Sequence, residues 1–318
     1  MRIAYLILAH GNPAHLGRLV AALTSGESSL FVHIDAKTDI HRFRAIQEGS
    51  VHWTSRRVPV YWGEYSMVEA ILLLLREAMA AGRYEYFVLL SGSDYPIRSK
   101  QYIHQYLTRH AGAEFISIAP VPTPEAGISL GKVNRIAVPS SRPALKVLMK
   151  ICARLGMADR DYRKQLGPLQ PYSGSTWWAL TRDACGHILE FANRDRSFCK
   201  YFEYTYSSDE SFFQTILGNS PFSHRIRRSL MYDDWSAGGV HPGMIDERHL
   251  ALFERRQEVT LDDPFGPGEL LFARKFSDES AALTERIDEM AAMKDQIQEV
   301  GPSAHPDPSR TAVSSLSD

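Results

Sequence analysis

"YFVLLSGSDYP", Tyr86 to Pro96, places a short apolar run ahead of small and polar residues. Its first part is rich in aromatic and branched side chains and too short for an ordinary helix, so it reads as a buried strand. The Gly, Ser, Asp and Pro that follow are residues that turns use. Two earlier stretches repeat the pattern: "IAYLILA" from Ile3, followed by His10, Gly11 and Asn12, and "LFVHID" from Leu30, which ends in Asp35 and Lys37. Helical patterns lie between them. "PAHLGRLVAAL" opens with Pro13, which is favoured in a first helical turn. "SMVEAILLLLREAMAAG" offers Ser66 and Glu69 as a capping box, an inward stripe of Met67, Ala70, Ile71, Leu74, Leu75 and Ala78, and Gly82 at its end. This alternation predicts an α/β fold around a largely parallel sheet. In such sheets ligands bind outside the carboxyl ends of the strands, so the polar tails form either one nucleotide-sized crevice or plain turns.

The 318 residues carry 36 Lys+Arg against 37 Asp+Glu, a balance that points away from nucleic acid as a partner and makes any electrostatic function local. Cys152, Cys185 and Cys199 lack metal-ligand spacing and an even count, which fits a reducing compartment. "IAYLILA" is too short to span a bilayer and has no cleavage-site pattern, so the expected location is cytoplasmic. From Gly301 onward Pro and Ser dominate, and a disordered tail is expected over 301–318.

The second half opens with a basic stretch, 132–164. Within it Pro143 to Leu155 reads as a helix with Leu145, Leu148, Met149, Cys152 and Leu155 on one face. That pattern fits a solvated surface helix, its commoner use, or a helix lying on an anionic membrane. "YSGSTWWALTRDACGHILEF" then reads as a strand running into a helix.

The chain has no Walker motif, nucleophile elbow, H-E-x-x-H or paired C-x-x-C. "ARKF" sets Arg274 and Lys275 between Phe272 and Phe276; if it is extended, the aromatics anchor the backbone while a cation faces a cleft and suits a diphosphate. A snorkelling surface pair is the alternative. In "YSSDESFFQTIL" the adjacent acids Asp209 and Glu210 also read two ways. Ser207 and Glu210 fit a capping box, while Tyr204, Tyr206, Phe212 and Phe213 would wall Glu210 as a partly desolvated general base.

Taken in order, "YLILAH", "FVHIDAKTD", "YWGEYSMVEAILLLL", "FVLLSGSDYPI", "YSGSTWWALTRD", "YSSDESFFQTIL", "DDWS" with "HP", and "FARKF" resemble glycosyltransferase family 14. That family comprises the core-2/I-branching β-1,6-N-acetylglucosaminyltransferases and the peptide O-xylosyltransferases. The resemblance spans most of residues 1–276. It implies an α/β GT-A-type fold, a Rossmann-like mixed sheet flanked by helices. Residues 1–125 would be the nucleotide-sugar half and 126–276 the acceptor and catalytic half of one domain, with a C-terminal helix over 277–300. It also implies an inverting transfer from UDP-N-acetylglucosamine or UDP-xylose to a glycan, glycolipid or glycoconjugate, with no divalent metal.

By the same resemblance Glu210 is the base, and Arg274 with Lys275 holds the diphosphate. Asp35 and His10 line the uridine pocket, with Asp94 beside the donor. Trp177, Trp178, Asp209, Trp62 and Glu64 lie near the sugars. Asp159 to Asp161, the literal D-x-D, falls in the basic stretch rather than after a strand. Members with a membrane anchor and many cysteines differ from this chain. The difference implies a bacterial-type soluble relative that builds a surface glycan from the cytoplasmic side, with peripheral contact at the inner membrane. The rival readings are a metal-dependent transferase using Asp94 and a non-catalytic carbohydrate-binding protein.

Overall fold

The computed structural model describes residues 1–300 apart from 47–50, 141–146, 148–150, 152–159, 237, 240 and 255–258. Seven strands form the central sheet: β1 (Ile3–Ala9), β2 (Ser28–Ile34), β3 (His52–Trp53), β4 (Tyr86–Ser91), β6 (Glu114–Pro120), β7 (Tyr172–Thr181) and β8 (Ile226–Arg227), in the order β3-β2-β1-β4-β7-β6-β8. β3, β2, β1 and β4 run parallel, whereas β7 is antiparallel to both neighbours, so the sheet is mixed. All seven residues of β1 are buried, as a strand covered on both faces requires.

The order reverses after β3, and β4 joins on the far side of β1. Right-handed crossovers then put α1 (Pro13–Leu23) and α2 (Ser66–Ala81) on opposite faces. The connections leaving the carboxyl ends of β1 and β4 lead to opposite sides at this switch point, which is where such sheets bind ligands. The Rossmann-like mixed sheet flanked by helices, expected of a GT-A-type fold, is therefore the architecture observed.

Local chemistry explains most of the elements. Pro13 occupies the first turn of α1. Ser99 caps α3 (Lys100–Arg109), accepting from the Tyr102 amide at 3.0 Å. Thr181 ends β7 and caps the long helix Arg182–Arg194. The capping box expected at Ser66 and Glu69 does not form: the preceding Tyr65 is already helical, and Ser66 Oγ accepts from the Tyr61 amide at 2.8 Å. α2 is also buried more widely than one stripe. Val68, Leu72 and Leu73 join the expected residues because helix Arg182–Arg194 and the 208–210 turn pack on its outer side. The helix expected over Pro143 to Leu155, Cys152 and Asp159 falls largely or wholly outside the described residues; Asp161 caps the short helix Tyr162–Leu166.

A second, three-stranded sheet closes the carboxyl end: β5 (Asp94–Pro96), β12 (Phe272–Arg274) and β9 (Met231–Asp233), with β12 in the middle. A hairpin of β10 (Thr260–Asp263) and β11 (Gly266–Glu269) precedes β12, and a helix over Ala281–Val300 follows it. Among the described residues no helix is long and apolar enough to cross a membrane.

The pairing of β6 with β7 is irregular between Ile116 and Ile118, and there the two backbones touch. A Cβ on Gly174 would lie 1.8 Å from the Ser117 carbonyl oxygen, whereas a Cβ on Gly26 would meet nothing within 4 Å. Gly174→Ala should therefore destabilise the fold by about 2–3 kcal/mol, lowering Tm by roughly 3–5 °C. Gly26→Ala should stay within about 0.5 kcal/mol of the parent. Paired thermal melts check both.

Candidate active site

Gly92 brings the end of β4 against β1. Its amide donates to the Leu8 carbonyl at 2.7 Å, and a Cβ on it would lie 2.7 Å from that of Ala9. The turn that follows delivers Asp94 into the second sheet. The Asp94 carboxylate is fully buried; it accepts from the Ser91 amide at 2.7 Å and from the Ser91 hydroxyl.

Register then does the decisive work. Arg274 at the end of β12 stands opposite Asp94 of β5 and Asp233 of β9. Its Nε lies 3.2 Å from Asp94 Oδ1 and 3.7 Å from Asp233 Oδ1. Its guanidinium also covers the Trp177 ring at 4.3 Å, a cation–π arrangement. Nε faces both acids without a hydrogen bond to either, and among the described residues the terminal nitrogens make no hydrogen bond. Burial pushes Asp233 up to about 6 and also raises Asp94, while Arg274 opposes both shifts. Lys275 follows, half-buried, with its pKa lowered by burial and then by Arg274. Its backbone is clasped on both sides: the Lys275 amide donates to Gly243 O at 3.2 Å and its carbonyl accepts from Ile245 N at 2.8 Å. Phe272 and Phe276 are buried anchors, as the extended reading of this segment expected.

A buried histidine ties this sheet to α1. His15 Nε2 lies 3.0 Å from the Asp94 carbonyl oxygen, which can only accept, so Nε2 carries the proton. Burial lowers its pKa to about 4 and keeps the ring neutral. The ring stacks on Phe276 at 5.7 Å, and the His15 amide is capped by Asp278 Oδ1 at 2.8 Å.

The other acids sit on a 3-10 turn, Ser208–Glu210. Asp209 is buried, and its Oδ2 accepts from Thr176 Oγ1 at 2.6 Å, while Oδ1 has no hydrogen-bond partner. Burial, and then the charge of Glu210, raises Asp209 to about 6. The side chain of Glu210 is 41% exposed and pairs with Lys132, from the short helix Gly131–Asn134. Ser173 Oγ donates to the Glu210 carbonyl at 3.0 Å. β7 thus touches both parts of the site: Trp177 lies under Arg274, and the preceding Thr176 holds the neighbour of Glu210.

Several expectations need correction. The capping box of Ser207 and Glu210 is absent, because Ser207 adopts φ 47° with its amide on Gly63 O at 2.8 Å and its side chain caps nothing. Phe212 and Phe213 do not wall Glu210; both are fully buried in the core. Asp209, not Glu210, is the desolvated acid. Trp178 is 2% exposed and packs on Phe213 at 6.0 Å, since adjacent strand residues face opposite ways and only Trp177 meets Arg274. The fully buried Asp94 carboxylate is turned towards Ser91 and Arg274.

The remaining candidates lie around the mouth. Asp35 is buried, accepting from Lys37 N at 2.9 Å and Val60 N at 3.3 Å. His10 is exposed at the end of β1. Trp62 is 57% exposed and meets Tyr206 at 5.8 Å and His241 at 5.0 Å, both edge-on. Glu64 accepts from Ser140 N at 2.8 Å. Sequence reading gave no role to Asp233, Lys132, Thr176 or His15. Asp233 alone had a local signal, the acid pair of "DDWS". Among the described residues no three His, Cys, Asp or Glu side chains are grouped to hold a metal.

The sequence model of the Core-2/I-Branching enzyme family matches residues 3–255. The chain belongs to this family. Xylosyltransferase 1 of Canis lupus familiaris is 28% identical over 250 residues, covering 74% of this chain and 24% of that protein. Xylosyltransferase 2 of Rattus norvegicus is 25% identical, covering 74% and 27% respectively. The chain therefore spans about a quarter of the length of these relatives. Among solved structures, glucosyl-3-phosphoglycerate synthase from Mycobacterium tuberculosis, in complex with Mn2+, UDP and phosphoglyceric acid, aligns over 57% of this chain and 56% of its own. The identity is 17% and the TM-score 0.28, too low for residue-level comparison.

Burial of Asp209 has a pH signature. The folded carboxyl keeps its proton up to about pH 6, the unfolded one only to about 4. Folding is therefore penalised progressively as pH rises through that window, and the penalty persists above it. Asp209→Asn should flatten this slope and stabilise the protein at pH 7–8 by about 2–3 kcal/mol, with no gain below pH 4. Urea unfolding from pH 4 to 8 checks it.

Proposed function

We propose that this Core-2/I-Branching family member is an inverting glycosyltransferase that moves N-acetylglucosamine or xylose from a UDP-sugar to a hydroxyl of a glycan or glycoconjugate, without a divalent metal. The observation that carries this reading is Arg274, held with Nε facing two carboxylates and its guanidinium on the Trp177 face, with no hydrogen bond from its terminal nitrogens among the described residues and Lys275 beside it.

In this reading the acceptor hydroxyl gives its proton to a Glu210 oxygen as its own oxygen bonds to the anomeric carbon. The bond from that carbon to UDP breaks on the opposite side, and its electron pair leaves with the diphosphate. Arg274 and Lys275 stabilise that developing charge through fixed, partly desolvated cations. Lys132 pairs with the Glu210 carboxylate and holds it in place. Asp35 and His10, at the carboxyl ends of β2 and β1, serve the nucleoside, and Trp62 with Glu64 the sugars.

The donor set supports the metal-free form. Asp94, the acid at the turn after β4, has its oxygens engaged by Ser91 and Arg274. A guanidinium thus stands where a metal-dependent site would need a free carboxylate. The xylosyltransferase relatives favour UDP-xylose, but the donor sugar remains one of the two until assayed.

UDP release should occur in EDTA with one of the two UDP-sugars. Glu210→Gln should lower it by about 10²-fold or more while leaving UDP affinity, read by calorimetry, unchanged. Turnover lost in EDTA and restored by Mn2+ would establish the metal-dependent rival. Unchanged turnover in Glu210→Gln would remove that residue from the role. Lys275→Ala should weaken UDP binding roughly tenfold, the worth of one charge-assisted hydrogen bond; equal affinity would detach the diphosphate from this strand.

A further inference from the structure

The opposite end of the sheet carries a second concave surface. β6 and β8 run parallel and begin there, with Glu114 beside Ile226 and Phe115 beside Arg227. The turn at 110–113 after α3 closes one side, and Pro267 and Gly268 of the β10–β11 hairpin close the other, leaving a groove of ≈ 690 Å³. β6 has seven residues, so the groove lies about 20 Å along the strand, at ~3.3 Å per residue, from its carboxyl end. At that far end Ala119 pairs with Ser173, the residue bonded to the Glu210 carbonyl. The groove is thus separate from the site described above.

Its lining includes His110, His224, Arg225, Arg227 and Arg228 and no carboxylate. Arg228 is buried and committed, with Nη2 donating to Asp263 Oδ2 at 2.9 Å. Arg225 and Arg227 are exposed, and neither forms an ion pair among the described residues. Arg227 is steadied by its own backbone, Nη1 donating to the Ile226 carbonyl at 2.9 Å, and Arg225 lies over the Phe222 ring at 5.9 Å. The buried acid at this end, Glu114, is occupied by Thr181 through its amide at 2.9 Å and its hydroxyl at 2.6 Å. In a chain whose formal net charge is -1, this is a local excess of positive charge.

We infer that the groove binds a phosphate-bearing group. Two uncommitted guanidinium forks on neighbouring residues of one segment can share the oxygens of a tetrahedral phosphate, whereas a carboxylate offers one planar edge to one fork. The phosphate can belong to an anionic lipid headgroup or to a soluble phosphorylated molecule.

The test titrates inorganic phosphate into the 15N-labelled full chain at low ionic strength, with saturating UDP present to occupy the other site. Amide shifts should localise to residues 110–113 and 224–228, and Arg225→Gln with Arg227→Gln should weaken the fitted affinity tenfold or more. Acetate at equal ionic strength should not reproduce them. Cosedimentation with phosphatidylcholine vesicles containing phosphatidylglycerol, abolished by the double substitution, identifies lipid headgroups as the source; phosphate shifts without vesicle binding identify a soluble ligand. Absent shifts, equal shifts with acetate, or shifts unchanged in the double variant overturn the inference. The shifts are read at the groove whether or not UDP binds, so failure of the proposed transferase activity leaves this test intact.

Discussion

The site depends on one constraint: a guanidinium held in the protein interior by the register of three short strands. β12 contributes only Phe272–Arg274, yet its pairing with β5 on one side and β9 on the other sets Arg274 against an acid from each. A one-residue slip would turn Arg274 to the opposite face. Removing the arginine would leave two buried acids facing each other without a counter-charge, which costs far more than an exposed pair contributes. The two fully buried phenylalanines that flank the segment, Phe272 and Phe276, oppose such a slip with apolar burial.

That sheet is fixed from outside as well. His15, neutral through burial, joins α1 to the Asp94 carbonyl, and Asp278 caps the same helix from the segment just after β12. Arg18 adds bonds to the Ser277 and Asp278 carbonyls at 2.8 and 3.0 Å. α1 begins after Asn12, a left-handed residue at φ 53° whose side chain supplies no cap, and one donor of its first turn, the His15 amide, is met instead by the distant Asp278. Helix α1, the acid after β4 and the segment after the cationic strand are therefore bonded to one another. A charge clamp needs this rigidity if it is to meet a leaving group without reorganising.

What the sequence disclosed follows the range of the forces involved. Apolar runs and caps are local, so β1, β2, β4, α1 and the strand-to-helix step at Thr181 were legible from periodicity and residue type. Adjacent residues with different fates were not. Trp177 and Trp178 look alike in the chain, but one lies under a guanidinium and the other is sealed in the core by Phe213. Asp209 and Glu210 likewise part company, the first being buried and the second half-exposed. Lys132 and Asp233 reach the site through contacts 78 and 41 residues away, and for Lys132 no local pattern encodes that. The cap predicted at Ser207 lost to a tertiary bond with Gly63, a glycine at φ +72° whose added Cβ would strike Tyr206 at 2.9 Å.

That lost cap explains how two neighbouring acids take different roles. A regular helix start would have left both Asp209 and Glu210 in the solvated first turn, equivalent and mutually repelling. The left-handed Ser207 rotates the turn so that Asp209 enters the protein towards Thr176 while Glu210 stays at the mouth with Lys132. Burial then favours the neutral form of Asp209 and weakens the like charge beside Glu210. Environment, more than residue type, separates the carboxyls, the usual way a site makes one of two acids available for proton transfer. Strain at Ser207 is thus part of the arrangement, since relaxing it into a helical cap would return both acids to water and dissolve the distinction between them.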